Sequence, residues 1–239
     1  MIIEFIGIPG SGKTFISKQL EKYLKDNLSN KVKIFNSHDL VIKVKNDGKI
    51  NNIIKLIPLL LNLSFLKLFK NIILRQGNIS SNLYLFKIFL IRLLMYKKIN
   101  EISKNNKEFI FILEEGWAHF SIALLRKKIE NMNTSILDQY FKYLNDVVKY
   151  FIEDNYYIFI DSCTSENYIR IENRSKGWPG SLGNESKKKK EKFLNESNNF
   201  YKYLKSYYEF NGISTCIDNT KFKNSYSSDF KLVIDNYIN

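Results

Sequence analysis

Only three prolines and ten glycines occur in the 239 residues, too few for a collagen-like or low-complexity chain. Cysteine is as scarce. Cys163 and Cys216 match no metal-ligand spacing, which argues against a disulfide-stapled scaffold or a zinc site and suggests a reduced, cytoplasmic setting. Apolar runs are short: the longest without charge, Leu56 to Leu66, is about half of the roughly 20 residues a membrane span requires. No N-K-x-D guanine-reading motif and no clean D-x-x-G switch is present, so a GTPase is not expected. A signal peptide is not expected either, because a working motif already starts at residue 7. These absences leave a soluble α/β protein as the expectation.

Hydrophobic residues make up 44% of the chain, enough for a sizeable core. The net charge is +13 and unevenly spread. Residues 49–107 carry eleven Lys or Arg against the single acid Glu101. A basic, apolar segment of this kind suits phosphate-bearing substrates, nucleic acid or an anionic membrane surface. A solvated lysine face on core-packing helices accounts for it equally well.

Strands and helices alternate along the chain. Met1–Ile6 is an apolar run that predicts a buried strand, and Lys13 to about Asn30 has helical periodicity. Lys31–Asn36 predicts a second strand. From Ile50 to about Asn106 the pattern is helical, punctuated at Pro58 and Gly77-Asn78 into two or three helices. There Leu83, Phe86, Leu90, Leu93 and Leu94 share one face. Phe109–Leu113 predicts a fully buried parallel strand, residues 118–153 one or two helices, and Tyr156–Ile160 a fourth strand. A helix over 165–175, a flexible loop at 177–183 and a helix from Lys187 to about Glu209 follow. A fifth strand at Ile213–Ile217 and a helix over Phe230–Tyr237 close the chain. The alternation predicts a doubly wound five-stranded parallel sheet in one domain spanning residues 1–239, with a helical insertion at 49–107.

Gly7-Ile8-Pro9-Gly10-Ser11-Gly12-Lys13-Thr14 has the form G-x-x-x-x-G-K-T, with a strand directly before it and an amphipathic helix after it. That is the context of a nucleotide phosphate-binding loop. Its backbone N–H groups curl around a β-phosphate, and the following helix aims its positive end at the same anion. Lys13 is expected to reach the β- and γ-phosphates, and the Thr14 hydroxyl to ligate Mg²⁺. ATP and Mg²⁺ are therefore the expected cofactors, held by Gly7, Pro9, Gly10, Ser11, Gly12, Lys13 and Thr14.

Ligands of open α/β sheets sit at the carboxyl ends of strands, where this chain places Asp39, the pair Glu114-Glu115, and Asp161. Glu114 follows five apolar residues and stands where a Mg²⁺–water ligand belongs. Glu115 is placed to take a proton from an acceptor hydroxyl, or one residue serves in both roles. Asp39 either faces the acceptor or caps a helix. Asp161 either serves the site or caps the next helix.

With these residues the chain resembles the P-loop kinases of the nucleoside and nucleotide kinase group, thymidylate kinase in particular. The resemblance rests on the Gly7–Thr14 loop, on Arg92 followed 22 residues later by Glu114, on the strand Tyr157–Asp161, and on Glu166 followed by Arg170 and Arg174. It implies a lid over residues 165–200, Arg92 on the acceptor's phosphate, and Arg170 and Arg174 on the donor's phosphates. Two places depart from the family's pattern. Thymidylate kinases have Asp-Arg where this chain has Glu114-Glu115-Gly116, and Ser37-His38-Asp39-Leu40 replaces their acidic-arginine-proline signature.

The expected activity is ATP-dependent phosphoryl transfer to a small hydroxyl or phosphate acceptor. A regulatory NTPase, or a kinase acting on a lipid-linked acceptor at a membrane surface, is the alternative. The expected partners are a nucleoside triphosphate and the acceptor, with peripheral membrane contact and a second copy of the chain as further candidates. Nucleic acid is not an expected partner.

Overall fold

The computed structural model describes residues 1–28, 33–73, 79–104, 109–125, 134–149, 155–178, 180–210, 214–220 and 226–237. The expected break at Gly77-Asn78 lies outside them. Five strands form one all-parallel sheet: β1 (Ile2–Ile6), β2 (Lys33–Asn36), β3 (Phe109–Leu113), β4 (Asn155–Asp161) and β5 (Ser214–Asp218). Their order is β2-β3-β1-β4-β5, so the chain passes from β1 to the edge strand β2, returns to β3 beside β1, and then crosses to β4 and β5 on the other side. That switch point opens a crevice outside the carboxyl ends of β1 and β3.

Strand alternation divides the core. Ile2 and Ile6 of β1 join the larger cluster with residues of α2 (Ser37–Asn46), α4 (Leu63–Ile73), α5 (Ile79–Ser103), α6 (Trp117–Leu125), α7 (Thr134–Lys149) and α9 (Lys187–Phe210). Ile3 and Phe5 face the other way, onto α1 (Lys13–Asn27) and α10 (Ser227–Tyr237). Helices therefore cover both faces, which is why the strands read as continuous apolar runs rather than alternating ones.

The segment 49–104 folds as α3 (Lys49–Leu56), a 3-10 turn at Ile57–Leu61, α4 and α5. Pro58 falls inside the turn, where its missing N–H costs nothing. The long helix α5 packs Phe89, Leu93, Met95, Tyr96 and Ile99 into the core. Leu83, expected on the same face, is exposed at 51%. Part of the basic charge is neutralised locally: Lys55 and Lys98 both pair with Asp47, at 2.7 Å each, and both also reach Glu101.

Residues 164–210 form α8 (Thr164–Glu172), a 3-10 turn at Gly180–Asn184 and α9. The expected loop between them carries its own anchor. Trp178 is buried against Phe193, Leu194 and Ile171, and its indole N–H donates to Glu172 at 2.8 Å. Lys190 also binds Glu172, at 2.9 Å, and lies over the Trp178 ring.

Candidate active site at the phosphate loop

β1 delivers the chain into the loop, and α1 begins at Lys13. At Gly10 the backbone has φ +83°, and an added Cβ would stand 2.7 Å from the Asn167 carbonyl of α8. Only glycine meets both demands, so the loop is seated directly on the helix that carries Arg170. A second support comes from the β5–α10 connection. The Asn219 side-chain amide donates to the Ser11 carbonyl at 2.7 Å and accepts from the Tyr226 hydroxyl.

Lys13 folds over its own loop, donating to the carbonyls of Gly7 at 2.9 Å and Ile8 at 3.3 Å. Burial lowers its ammonium to about 8, against the pull of Glu115 and Glu114 and with a further push from Arg174. An anion would relieve that strain. The buried Ser11 hydroxyl has no partner among the described residues.

The carboxylate of Glu114 lies across from the loop. Its two oxygens accept from Thr14 Oγ1 at 2.8 Å and from Ser17 Oγ at 3.0 Å. Its backbone N–H donates to Ser37 Oγ at 3.0 Å, which fixes the end of β3 against the start of α2. A hydroxyl and a carboxylate this close are hard oxygen donors of the kind Mg²⁺ takes, with its remaining positions left for phosphate oxygens and water. Among the described residues no cluster of three His, Cys, Asp or Glu could hold a metal ion.

Glu115 points elsewhere. It is exposed and pairs with Arg92 of α5 at 2.8 Å. The Arg92 Nε is buried without a partner among the described residues. On the far side, Arg170 binds Glu166 at 2.9 Å, and its buried Nη1 has no partner among the described residues. Arg174 donates to the Gly177 carbonyl at 2.6 Å.

The other two strand-end acids have different duties. Asp39 completes a capping box at the start of α2, its carboxylate accepting from Asn36 N–H while Asn36 Oδ1 accepts from Asp39 N–H. Asp161 accepts from Tyr201, Lys205 and Cys216. It thereby ties β4 and β5 to α9, and the thiol of Cys216 is pushed up to about 11, first by burial and then by Asp161.

Several residues at the site escape the sequence reading. Ser17 stands one turn after Thr14, a spacing that puts both hydroxyls on one face of α1. Asn219 carries no local signal. His119 of α6 lies against the backbone of Gly7, and burial, then Lys13 and Arg92, hold its imidazole neutral, well below the usual range. Glu4, in the middle of β1, is fully buried. An acid flanked by apolar residues in a buried strand is itself the signal, since such a group must find partners.

No family model matches the chain, and no curated protein does. Solved structures do resemble it. A deoxyadenosine kinase from M. mycoides with bound dATP superposes with a TM-score of 0.54 at 16% identity, all of each chain being covered. A shikimate kinase from Acinetobacter baumannii in complex with shikimate gives 0.46 at 12% identity, over 100% of this chain and 95% of that one. A thymidylate kinase from Ehrlichia chaffeensis gives 0.44 at 19% identity, over 100% and 98%. The first of these has the same fold as this chain: a five-stranded all-parallel sheet with helices on both sides.

Proposed function

We propose that the protein is a kinase that transfers the γ-phosphoryl group of Mg·ATP to a small-molecule acceptor. The observation that carries this reading is the bond from Thr14 to Glu114, because it brings the end of the phosphate loop and the acid of β3 to one point. The deoxyadenosine kinase fold supports it as well.

Phosphoryl transfer is mainly positioning and charge stabilisation, and the side chains divide that work. Lys13 exchanges the carbonyls of Gly7 and Ile8 for phosphate oxygens. Thr14 and Glu114 hold the magnesium ion, which supplies charge neutralisation at the phosphates when bound. Arg170 and Arg174 approach from α8 and the turn after it, and their planar forks suit phosphate oxygens. Arg92 and Glu115 form the acceptor side: Arg92 binds the acceptor, and Glu115 takes the proton of the attacking hydroxyl. Asp39, spent on its cap, orients the start of α2 and with it Ser37.

The acceptor class is a nucleoside, a nucleoside monophosphate or another small hydroxyl compound. ADP release from Mg·ATP, measured alone and with panels of nucleosides, nucleoside monophosphates and sugars, tests the reading. Stimulation by one panel is expected. Rapid hydrolysis that no acceptor alters would instead favour a regulatory NTPase.

One observation favours a lipid-linked acceptor as a second reading. Ile57, Leu61 and Leu63 are exposed at 50%, 86% and 72%, near the exposed Lys67 and Lys70 of α4. Apolar and cationic groups at one turn suit an anionic bilayer surface. Among the described residues no helix is long and apolar enough to cross a membrane, so such contact would be peripheral. Co-sedimentation with phosphatidylglycerol vesicles, but not phosphatidylcholine ones, is the outcome this reading requires.

A further inference from the structure

Glu4 takes no part in the reaction proposed above, yet its surroundings are built around it. It shares a strand with Ile2 and Ile6, both packed in the larger core. A buried carboxylate is costly unless its oxygens are well hydrogen-bonded. Its bonds lead to the helix that follows the acids. The His119 N–H donates to Glu4 Oε1 at 2.9 Å. The Tyr96 hydroxyl donates to Glu4 Oε2 at 2.9 Å and accepts the Trp117 N–H at 3.1 Å.

Trp117, Ala118 and His119 open α6. Their N–H groups have no carbonyl within the helix to bind, and those of Trp117 and His119 end on Tyr96 and Glu4. The helix dipole favours a negative charge at that place. Gly116, the residue before the helix, lies against the same carboxylate: an added Cβ would stand 2.2 Å from Glu4 Cδ. Glu4 therefore fixes where the turn after Glu114 and Glu115 can lie.

The phosphate loop is held from the same place. Glu4 lies on the strand that feeds the loop. His119, whose N–H it binds, lies against the backbone of Gly7, and Lys13 donates to the Gly7 carbonyl.

We infer that Glu4 is a positioning residue for phosphoryl transfer: its carboxylate sets the Glu114-Glu115-Gly116 turn and, through His119, the phosphate loop at one fixed spacing. This role rests on the kinase reading. The groups facing it are Tyr96 and Arg92 from α5, His119 from α6, Tyr157 from β4 and Tyr208 from α9. Burial outweighs its hydrogen bonds and raises the carboxyl to about 7. Protonation removes acceptor capacity from the cap, so the ionised form is the better support, and kcat should climb with pH through about 7.

The test uses the full chain with Glu4→Gln, Glu4→Asp and Gly116→Ala. Glutamine keeps the size and one acceptor oxygen, so the variant is expected to fold, as its melting temperature will show. Its kcat should fall at least ~tenfold, as small displacements of catalytic groups do, and the acid limb near pH 7 should be lost. Glu4→Asp, which keeps the charge, should recover part of kcat and retain an acid limb. Gly116→Ala attacks the same contact from the other side and should lower kcat in the same way.

Wild-type kcat and a wild-type acid limb in Glu4→Gln would overturn the role. If that variant does not fold, a folded Gly116→Ala with normal kcat would overturn it. Failure of the kinase reading shows separately, as wild-type protein that binds Mg·ATP but turns over with no acceptor. Glu4 is then tested by binding alone: Mg²⁺ should tighten ATP binding to the wild type and not to Glu4→Gln, and equal tightening in both would overturn its role.

Discussion

The hydroxyl of Thr14 donates to Glu114 across 2.8 Å, although the two residues lie 100 positions apart in the chain. The loop that cradles phosphate and the acid that ends β3 are thereby joined before any nucleotide arrives. Ser17 adds a bond to the second carboxylate oxygen, so Glu114 is oriented from two turns of α1.

That orientation predicts the effect of removing its charge. Glu114→Gln keeps the size and loses the anion. Turnover should fall by about 10²-fold or more, as for the loss of other preorganised charges, and the Mg²⁺ concentration for half-maximal rate should rise. A magnesium titration of ADP release checks this. An unchanged Mg²⁺ requirement would place the metal elsewhere.

Lys13 gives a prediction in pH. With its ammonium lowered to about 8 by burial, the unliganded site loses its positive charge as pH rises past that value. Affinity for Mg·ATP should therefore fall between about pH 8 and 9.5, and Lys13→Met should bind weakly with no such slope. Stability moves the other way. Between about 8 and the ordinary 10.5 the unfolded chain still holds a proton that the folded one has released, so unfolding becomes harder as pH rises there. Isothermal titration and thermal melts at matched pH separate the two effects.

Among the described residues Arg174 reaches a loop carbonyl, while its charge already bears on Lys13. Arg174→Ala should leave the melting temperature and ATP affinity close to wild type and lower kcat by about 10²- to 10³-fold. Normal turnover in this variant would remove Arg174 from the reaction.

Arg92 has a different signature. Held by Glu115 at 2.8 Å, it should act on the acceptor. Arg92→Ala should raise KM for the acceptor by about tenfold or more, the scale of a charged hydrogen bond, and leave KM for ATP unchanged. Lysine should not restore it, because a point charge cannot replace a guanidinium fork. A rise in KM for ATP instead would move Arg92 to the donor side.

Legibility in the sequence follows how local each feature is. The positions of the Gly7–Thr14 loop and of Glu114 at the end of β3 are legible because each is announced by its immediate neighbours: glycines before a helix, an acid after five apolar residues. Strand positions were readable within a few residues for the same reason. Asp39 was readable both ways, and the spacing from Asn36 to Asp39 turned out to be a capping box. Glu4 was passed over because its strand is buried on both faces, and Tyr96, which satisfies it, lies 92 residues away. Asn219 is 208 residues from the loop carbonyl it holds. The charge of the basic insertion is only partly legible, because Asp47, which pairs with Lys55 and Lys98 alongside Glu101, stands just before residue 49.

The central claim is that phosphate goes to an acceptor and not to water. It is tested most directly by incubating the protein with γ-labelled ATP, Mg²⁺ and each acceptor panel, then separating labelled product from inorganic phosphate. The account predicts label on one class of acceptor, absent in Lys13→Met and Glu114→Gln. Label found in inorganic phosphate alone, at a rate that no acceptor alters, would contradict it.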